Sequence, residues 1–230
     1  ASTLTSWFGM NDLANAKASF AEQAVIFKRP HNWIMCWLYI GTFGSFIGFS
    51  AAFAMLTKAQ FPAVDPTAYA FLGPLVGALT RPVGGWLADK VGGARVTFWT
   101  FILMATAVWG VMQFLPHGGA DGSFAGFLSM FVLLFALSGL GNGSTFRMIP
   151  VIFLAERMRA LTVHHDEGAR GVAIAEAAKE SAAALGFAGA IGAYGGFFIP
   201  KSFGSSIAAT GSVDFALWCF IAFYLSCVAI

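Results

Sequence analysis

Long stretches of this chain carry almost no polar residues, and the apolar positions run on without the alternation of a half-buried strand. Six such stretches stand out, at about Trp33–Leu56, Thr67–Ala88, Val96–Leu115, Phe124–Leu154, Ala182–Ala208 and Val213–Ile230. Each reaches, or in the last case nearly reaches, the length needed to cross about 30 Å of hydrocarbon at about 1.5 Å per residue. Strands of a membrane barrel would alternate over about ten residues; these runs are solidly apolar and predict helices. The fourth is unusually long, and Pro150 within it predicts a kink or an extension beyond the bilayer.

Composition makes lipid the solvent for most of the chain. Of 230 residues, 58% are hydrophobic, 16% aromatic and only 10% charged, whereas soluble chains carry about 25% charged residues. A water-soluble fold of this size has too little interior to hide that much apolar surface. A soluble enzyme, a disordered binder and a nucleic-acid-binding domain are therefore excluded, and neither catalysis nor a cofactor is expected. Residues 1–31 are mixed in polarity, lack the apolar core of a secretory signal and read as a cytoplasmic linker. Residues 32–230 read as a six-helix unit. The chain begins at Ala1 and stops at Ile230 within an apolar run, so it reads as a piece of a longer protein whose last helix is truncated.

Cationic residues orient the bundle. The segment before the first helix and the second-to-third and fourth-to-fifth connections hold Lys17, Lys28, Arg29, Lys90, Arg95, Arg157, Arg159, Arg170 and Lys179; the opposite side holds only Lys58 and Lys201. Both ends are expected in the cytoplasm, and the polar 155–181 connection is expected to form a cytoplasmic helix. Its His164, His165, Asp166 and Glu167 have the wrong spacing for a metal site on one helix face. Cys36, Cys219 and Cys227 all fall in apolar runs without ligand-like spacing and read as buried, inert thiols.

Arg81 and Arg147 lie within spans, and no acidic residue accompanies either at mid-helix depth. A guanidinium in hydrocarbon costs about 2.5–3.5 kcal/mol on insertion scales, which makes it a functional candidate by default. Lacking a carboxylate, its natural counter-ion is a ligand anion. Gly73, Gly77, Gly84 and Gly85 share the helix face of Arg81. Small residues admit a neighbouring helix closely, so Arg81 is expected to project from a packed seam into the bundle. Arg147, with Asn142 and Ser144, is a second candidate, for an anion path or a latch.

Gly85-Trp-Leu-Ala-Asp89-Lys90-Val-Gly92-Gly93-Ala-Arg95 follows directly and resembles the cytoplasmic signature of the major facilitator superfamily, G-x-x-x-D-(R/K)-x-G-x-(R/K)-x. Such charges at helix ends can bind neighbouring termini in one conformation and release them in another, making Gly85, Asp89, Lys90 and Arg95 a candidate latch. The fourth helix carries GLGNGSTFRMIP over 139–150, the fifth ALGFAGAIGAYGGFFIP over 184–200, and the first YIGTFGSFIGFS over 39–50. Together these resemble the C-terminal half of the nitrate/nitrite porter (NarK-like) family. The resemblance implies an all-α integral membrane protein, the C-terminal six-helix bundle of a twelve-helix transporter with substrate between two halves. It implies that Arg81 grips nitrate or nitrite with a partner arginine from an N-terminal half, that Phe43 stacks on the anion, and that Tyr39 lines the site. Gly186, Gly189 and Gly192 would match the family's glycine signature, and the location would be the bacterial inner membrane.

Nitrate is planar with diffuse charge, and Arg is the planar fork that matches it. Exchange of nitrate for nitrite is favoured over proton symport, because this stretch shows no buried Asp, Glu or His. An aquaporin-like channel lacks its paired Asn-Pro-Ala motifs here, a formate/nitrite-type pore leaves the Asp89 sequence unexplained, and the glycine-lined Arg81 argues against a non-transporting sensor.

Overall fold

The computed structural model describes residues 2–9, 19–116, 121–161 and 167–230, and all regular structure among them is helical. Helices α1 (Ser2–Gly9) and α2 (Phe20–Gln23) and a 3-10 segment (Ala24–Lys28) precede α3 (Pro30–Tyr39), which starts with Pro at its first position, where a missing N–H costs nothing. A π-helical turn over Ile40–Gly44 joins α3 to α4 (Ser45–Gln60). Then come α5 (Leu72–Val91), α6 (Gly93–Phe114), α7 (Phe124–Ala160), α8 (Glu167–Ala193), α9 (Gly195–Thr210) and α10 (Asp214–Val228). Two sharp endings use glycine where a side chain would strain the backbone: Gly92 at φ +100° closes α5, and Gly211 at φ +75° closes α9.

The chain is an all-α, multi-pass membrane protein. Pro30–Gln60, Gly93–Phe114, Phe124–Arg159 and Gly168–Thr210 are each long and apolar enough to cross a bilayer. Two of the six expected spans fall short of that measure. Helix α5 has the length but is diluted by Arg81, Asp89 and Lys90, and α10 has only 15 residues. The outward surface agrees with a lipid environment: Leu75, Leu79, Val83 and Trp86 form an exposed stripe along α5, and Trp99, Trp109, Phe215 and Trp218 are likewise exposed. Large apolar patches of this kind are not left facing water.

Several boundaries differ from those expected. The 155–181 connection is not a separate helix: α7 continues through it to Ala160, and α8 begins at Glu167 and runs on into the apolar stretch. Polar side chains there pair with one another across helices, so the backbone has no reason to break where hydropathy falls. The fifth span does break, at Tyr194, between α8 and α9. Cys219 is exposed on α10, unlike the buried Cys36 and Cys227, because α10 turns one face outward. Lys17 and the His164, His165 and Asp166 cluster lie outside the described residues.

Phenylalanine fills the core. Phe127, Phe131 and Phe135 recur at i, i+4 and i+8 along α7 and are fully buried, with adjacent ring centroids 5.0 and 6.0 Å apart. Phe49 and Phe53 of α4 each reach Phe131 at 5.5 Å, and Phe46 meets Phe135 edge-on at 6.1 Å. These lie within the range where aromatic pairs add about 0.5–1.5 kcal/mol beyond area burial.

Helices α5 and α7 meet at backbone distance. A methyl group at Gly84 would collide with the Leu140 carbonyl, one at Gly139 with the Gly77 carbonyl, and one at Gly143 with the Arg81 carbonyl. The seam expected on α5 therefore exists, with α7 as its partner. Gly84→Ala must push the two helices apart and is expected to cost about 1–3 kcal/mol. Gly204→Ala in α9, where a methyl meets nothing within 4 Å among the described residues, should be neutral or slightly stabilising. Thermal unfolding of the two variants in detergent measures the difference.

Candidate functional site

The glycine seam fixes where the side chains of α5 and α7 emerge. Gly139, Gly143 and Phe146 lie at i, i+4 and i+7, on one stripe of α7, and that stripe is the one set against α5. Arg81 is half-buried, its guanidinium carbon 5.4 Å from the centroid of the Phe146 ring. The Tyr39 phenol lies near enough for the guanidinium charge to act on it. Among the described residues no carboxylate pairs with Arg81.

The first span brings two aromatic rings to the same place. Tyr39 ends α3 and is buried; Phe43, within the π turn, is half-buried, and their ring centroids are 5.3 Å apart at a 36° tilt. Glycine at 192 lets α8 lie against both: a methyl there would sit 2.9 Å from Phe43 Cδ1 and 3.3 Å from Tyr39 Cδ1. Tyr39, Phe43 and Gly192 thus form one cluster from α3, the π turn and α8, and Tyr39 is the member that lies near Arg81. The other two glycines of the α8 signature behave differently. A methyl at Gly186 or Gly189 would meet nothing within 4 Å among the described residues, and Gly186 lines a cavity of about 640 Å³ with Phe20, Ala24 and Phe27.

A second constellation lies at one end of the bundle. Arg147 Nε donates to Asp89 Oδ1 at 2.6 Å, and both side chains are about half exposed. Arg147 therefore does have an acidic partner. The correction arises because packing α5 on α7 lays the end of one helix beside the middle of the other, which neither helix reveals alone. Lys90 sits over the Trp86 ring at 4.6 Å, a methyl added at Gly85 would lie 3.7 Å from the Gly143 carbonyl, and Arg95 is exposed. Of the residues grouped with Arg147, Ser144 is buried, pairs with Thr97 Oγ1 at 3.0 Å and donates to the Gly93 carbonyl at 3.0 Å. Asn142 is also buried, and its Oδ1 has no partner. Asp89, Arg147, His31, Met35 and Thr97 are among the residues lining a cavity of about 860 Å³ beside the ion pair.

Sequence reasoning missed a third cluster. Glu180 of α8 is buried and accepts from Arg157 Nη2 at 2.6 Å and from Arg29 Nη2 at 3.1 Å; Arg157 also reaches Glu176 at 2.8 Å. His31 of α3 meets Glu156 of α7 beside them. A buried acid is therefore present, contrary to expectation, but it is committed to two arginines. The signal in the sequence was Glu176 and Glu180, four apart on one helix face, in a connection read only for its cations. Phe146 was missed too, although its seven-residue spacing from Gly139 marks it as facing Arg81. No group of metal ligands is present among the described residues.

Glu180→Gln keeps the shape but strands the Arg29 charge and leaves Arg157 with Glu176 alone. Removing one partner of a buried pair costs about 3–5 kcal/mol. Both arginines keep some solvent, so about 2 kcal/mol is expected here, read as a lowered unfolding temperature in detergent.

No family model matches the chain. It is similar to the nitrate/nitrite transporter NarU of Salmonella typhimurium, 52% identical over 229 residues, and to NarU of Escherichia coli, 49% identical over 230 residues. Each alignment covers 98% of this chain and 48% of the relative. A Thermus thermophilus protein named "Probable nitrate/nitrite antiporter NarK2" is 44% identical over 141 residues, covering 60% of this chain and 32% of that protein. The chain spans about half the length of the curated NarU relatives it matches.

Proposed function

The chain belongs to the nitrate/nitrite transporter family, and from that premise we propose that residues 32–230 are the C-terminal six-helix half of a carrier that exchanges nitrate for nitrite. The observation that carries the reading is Arg81, a half-buried guanidinium without a carboxylate partner among the described residues. Its insertion cost is about 2.5–3.5 kcal/mol, and a cation–π contact at a partly exposed site returns only about 0.5–1 kcal/mol. The deficit is what an arriving anion offsets. A guanidinium offers a planar, two-pronged set of donors, and nitrate and nitrite are planar acceptors. Phe43 and Phe146 supply apolar walls that strengthen each charge contact by excluding water, and Tyr39 lines the site beside the guanidinium.

An N-terminal half completes the carrier in this proposal. The stretch of α8 at Gly186 and Gly189, where an added methyl would meet no described atom within 4 Å, is suited to that partner, because glycines allow another helix to approach and slide. Asp89 and Arg147 form the latch with Gly85, Lys90 and Arg95 around the α5–α6 turn, which moves Arg147 from the anion path to the latch. The end of the bundle holding this latch and the Glu180 cluster faces the cytoplasm, with the carrier in the inner membrane. Exchange follows from charge. An empty site leaves Arg81 unneutralised, which opposes closure of the two halves, so reorientation needs an anion in each direction. Glu180 is held by two arginines and is poorly placed to carry a proton with the anion.

Arg81→Lys in the full-length transporter should lose most nitrate uptake, because a point charge does not reproduce the fork. Uptake into vesicles with and without internal nitrite is the measurement. Acceleration by internal nitrite separates a carrier from a channel, and near-normal uptake by the lysine variant removes the anion-site reading.

A further inference from the structure

The π turn carrying Phe43 is tied to α7 by a pair of hydroxyls that the site described above does not use. Thr42, in the middle of the turn, is fully buried, and its Oγ1 lies 3.2 Å from the Oγ1 of Thr145, also fully buried. Thr42 can also donate to the Leu38 carbonyl at 3.2 Å, and Thr145 to the Gly141 carbonyl at 3.0 Å. Each hydroxyl has one hydrogen. Whichever threonine donates across the gap, the other donates back to its own helix, so both arrangements use every donor. Thr42 lies between Tyr39 and Phe43 in sequence, and Thr145 immediately precedes Phe146.

We propose that the Thr42–Thr145 hydroxyl pair is a positioning contact of the anion site, holding the Tyr39–Phe43 wall in register with the α7 residues that face Arg81. The inference rests on the anion-site reading. A π turn accommodates one residue more than an α turn, and such turns are rare outside functional sites. Reversion to α-helix would rotate the chain on one side of the turn by about 100° relative to the other, taking Tyr39 and Phe43 out of register with the α4 rings, Phe46 and Phe49, that pack on α7. Valine would occupy the same volume at either position, so filling space gives no reason for two hydroxyls. Gly141, where a methyl would come within 2.8 Å of Thr42 Cγ2, brings α7 close enough for the pair to form.

The test uses nitrate/nitrite counterflow by the full-length transporter in vesicles, with Thr42→Val, Thr145→Val, the double variant and Thr42→Ser. Either valine should raise the KM for nitrate about tenfold, as misplaced binding groups do, with turnover within about twofold of the parent. The double variant should be no worse than one single, since both remove the same contact. Thr42→Ser, which keeps the hydroxyl, should restore the parent KM. Should Thr42→Val fail to accumulate, Thr145→Val carries the same comparison. The proposal is overturned by an unchanged KM in the valine variants, by a loss confined to turnover, by additive losses in the double variant, or by a serine variant as impaired as the valine. Arg81→Lys, run alongside, distinguishes the two levels. If it abolishes uptake while the threonine variants are normal, the positioning role fails and the anion site stands.

Discussion

Helices α5 and α7 touch backbone to backbone, and the placement of Arg81, Phe146, Asp89 and Arg147 follows from that contact. Gly77 and Gly84 on one helix and Gly139 and Gly143 on the other leave no room for a Cβ at the crossing. The register this imposes is narrow. It sets Phe146 over Arg81 at the level of the seam and, further along, brings Asp89 to Arg147. The same two rods therefore carry the anion-site residues and the ion pair, so the helices cannot slide past one another without disturbing both. Packing density in such interfaces resembles that of a crystal, and they switch between discrete arrangements more readily than they deform.

Four of the described arginines fall into two kinds. Arg147, Arg29 and Arg157 have carboxylates within 3.3 Å, all toward one end of the bundle. Arg81 has the Phe146 ring instead. Paired charges brace helix ends, whereas a cation beside an aromatic face keeps most of its attraction for an anion. This contrast, rather than the presence of arginine in a span, distinguishes Arg81 from its neighbours.

Much of this was legible in the residues. Uninterrupted apolar runs specified a helical membrane bundle, and the spacing of Gly73, Gly77 and Gly84 specified a seam. What the sequence left out were facts about pairs of helices. Arg147 looked unpartnered because Asp89 lies 58 residues away, and Glu180 looked like an ordinary loop acid because Arg29 is 151 residues distant. The π turn has no signature of its own, since the sequence around Gly41 and Gly44 would suit an α-helix equally well. Hydropathy also misplaced the ends of α7 and α8, where ion pairs extend helices beyond their apolar segments. For the three glycines grouped on α8, only the packing distinguishes Gly192, pressed against two rings, from Gly186 and Gly189, where a methyl would have room among the described residues.

The lack of an acid beside Arg81 has an electrical consequence. In the proposed exchange, a monovalent ion travels in one direction and a monovalent ion returns, while the fixed guanidinium makes the same journey both ways. The charge translocated over a full cycle is zero. Membrane voltage then neither drives nor resists the traffic, and the two concentration gradients alone determine its direction.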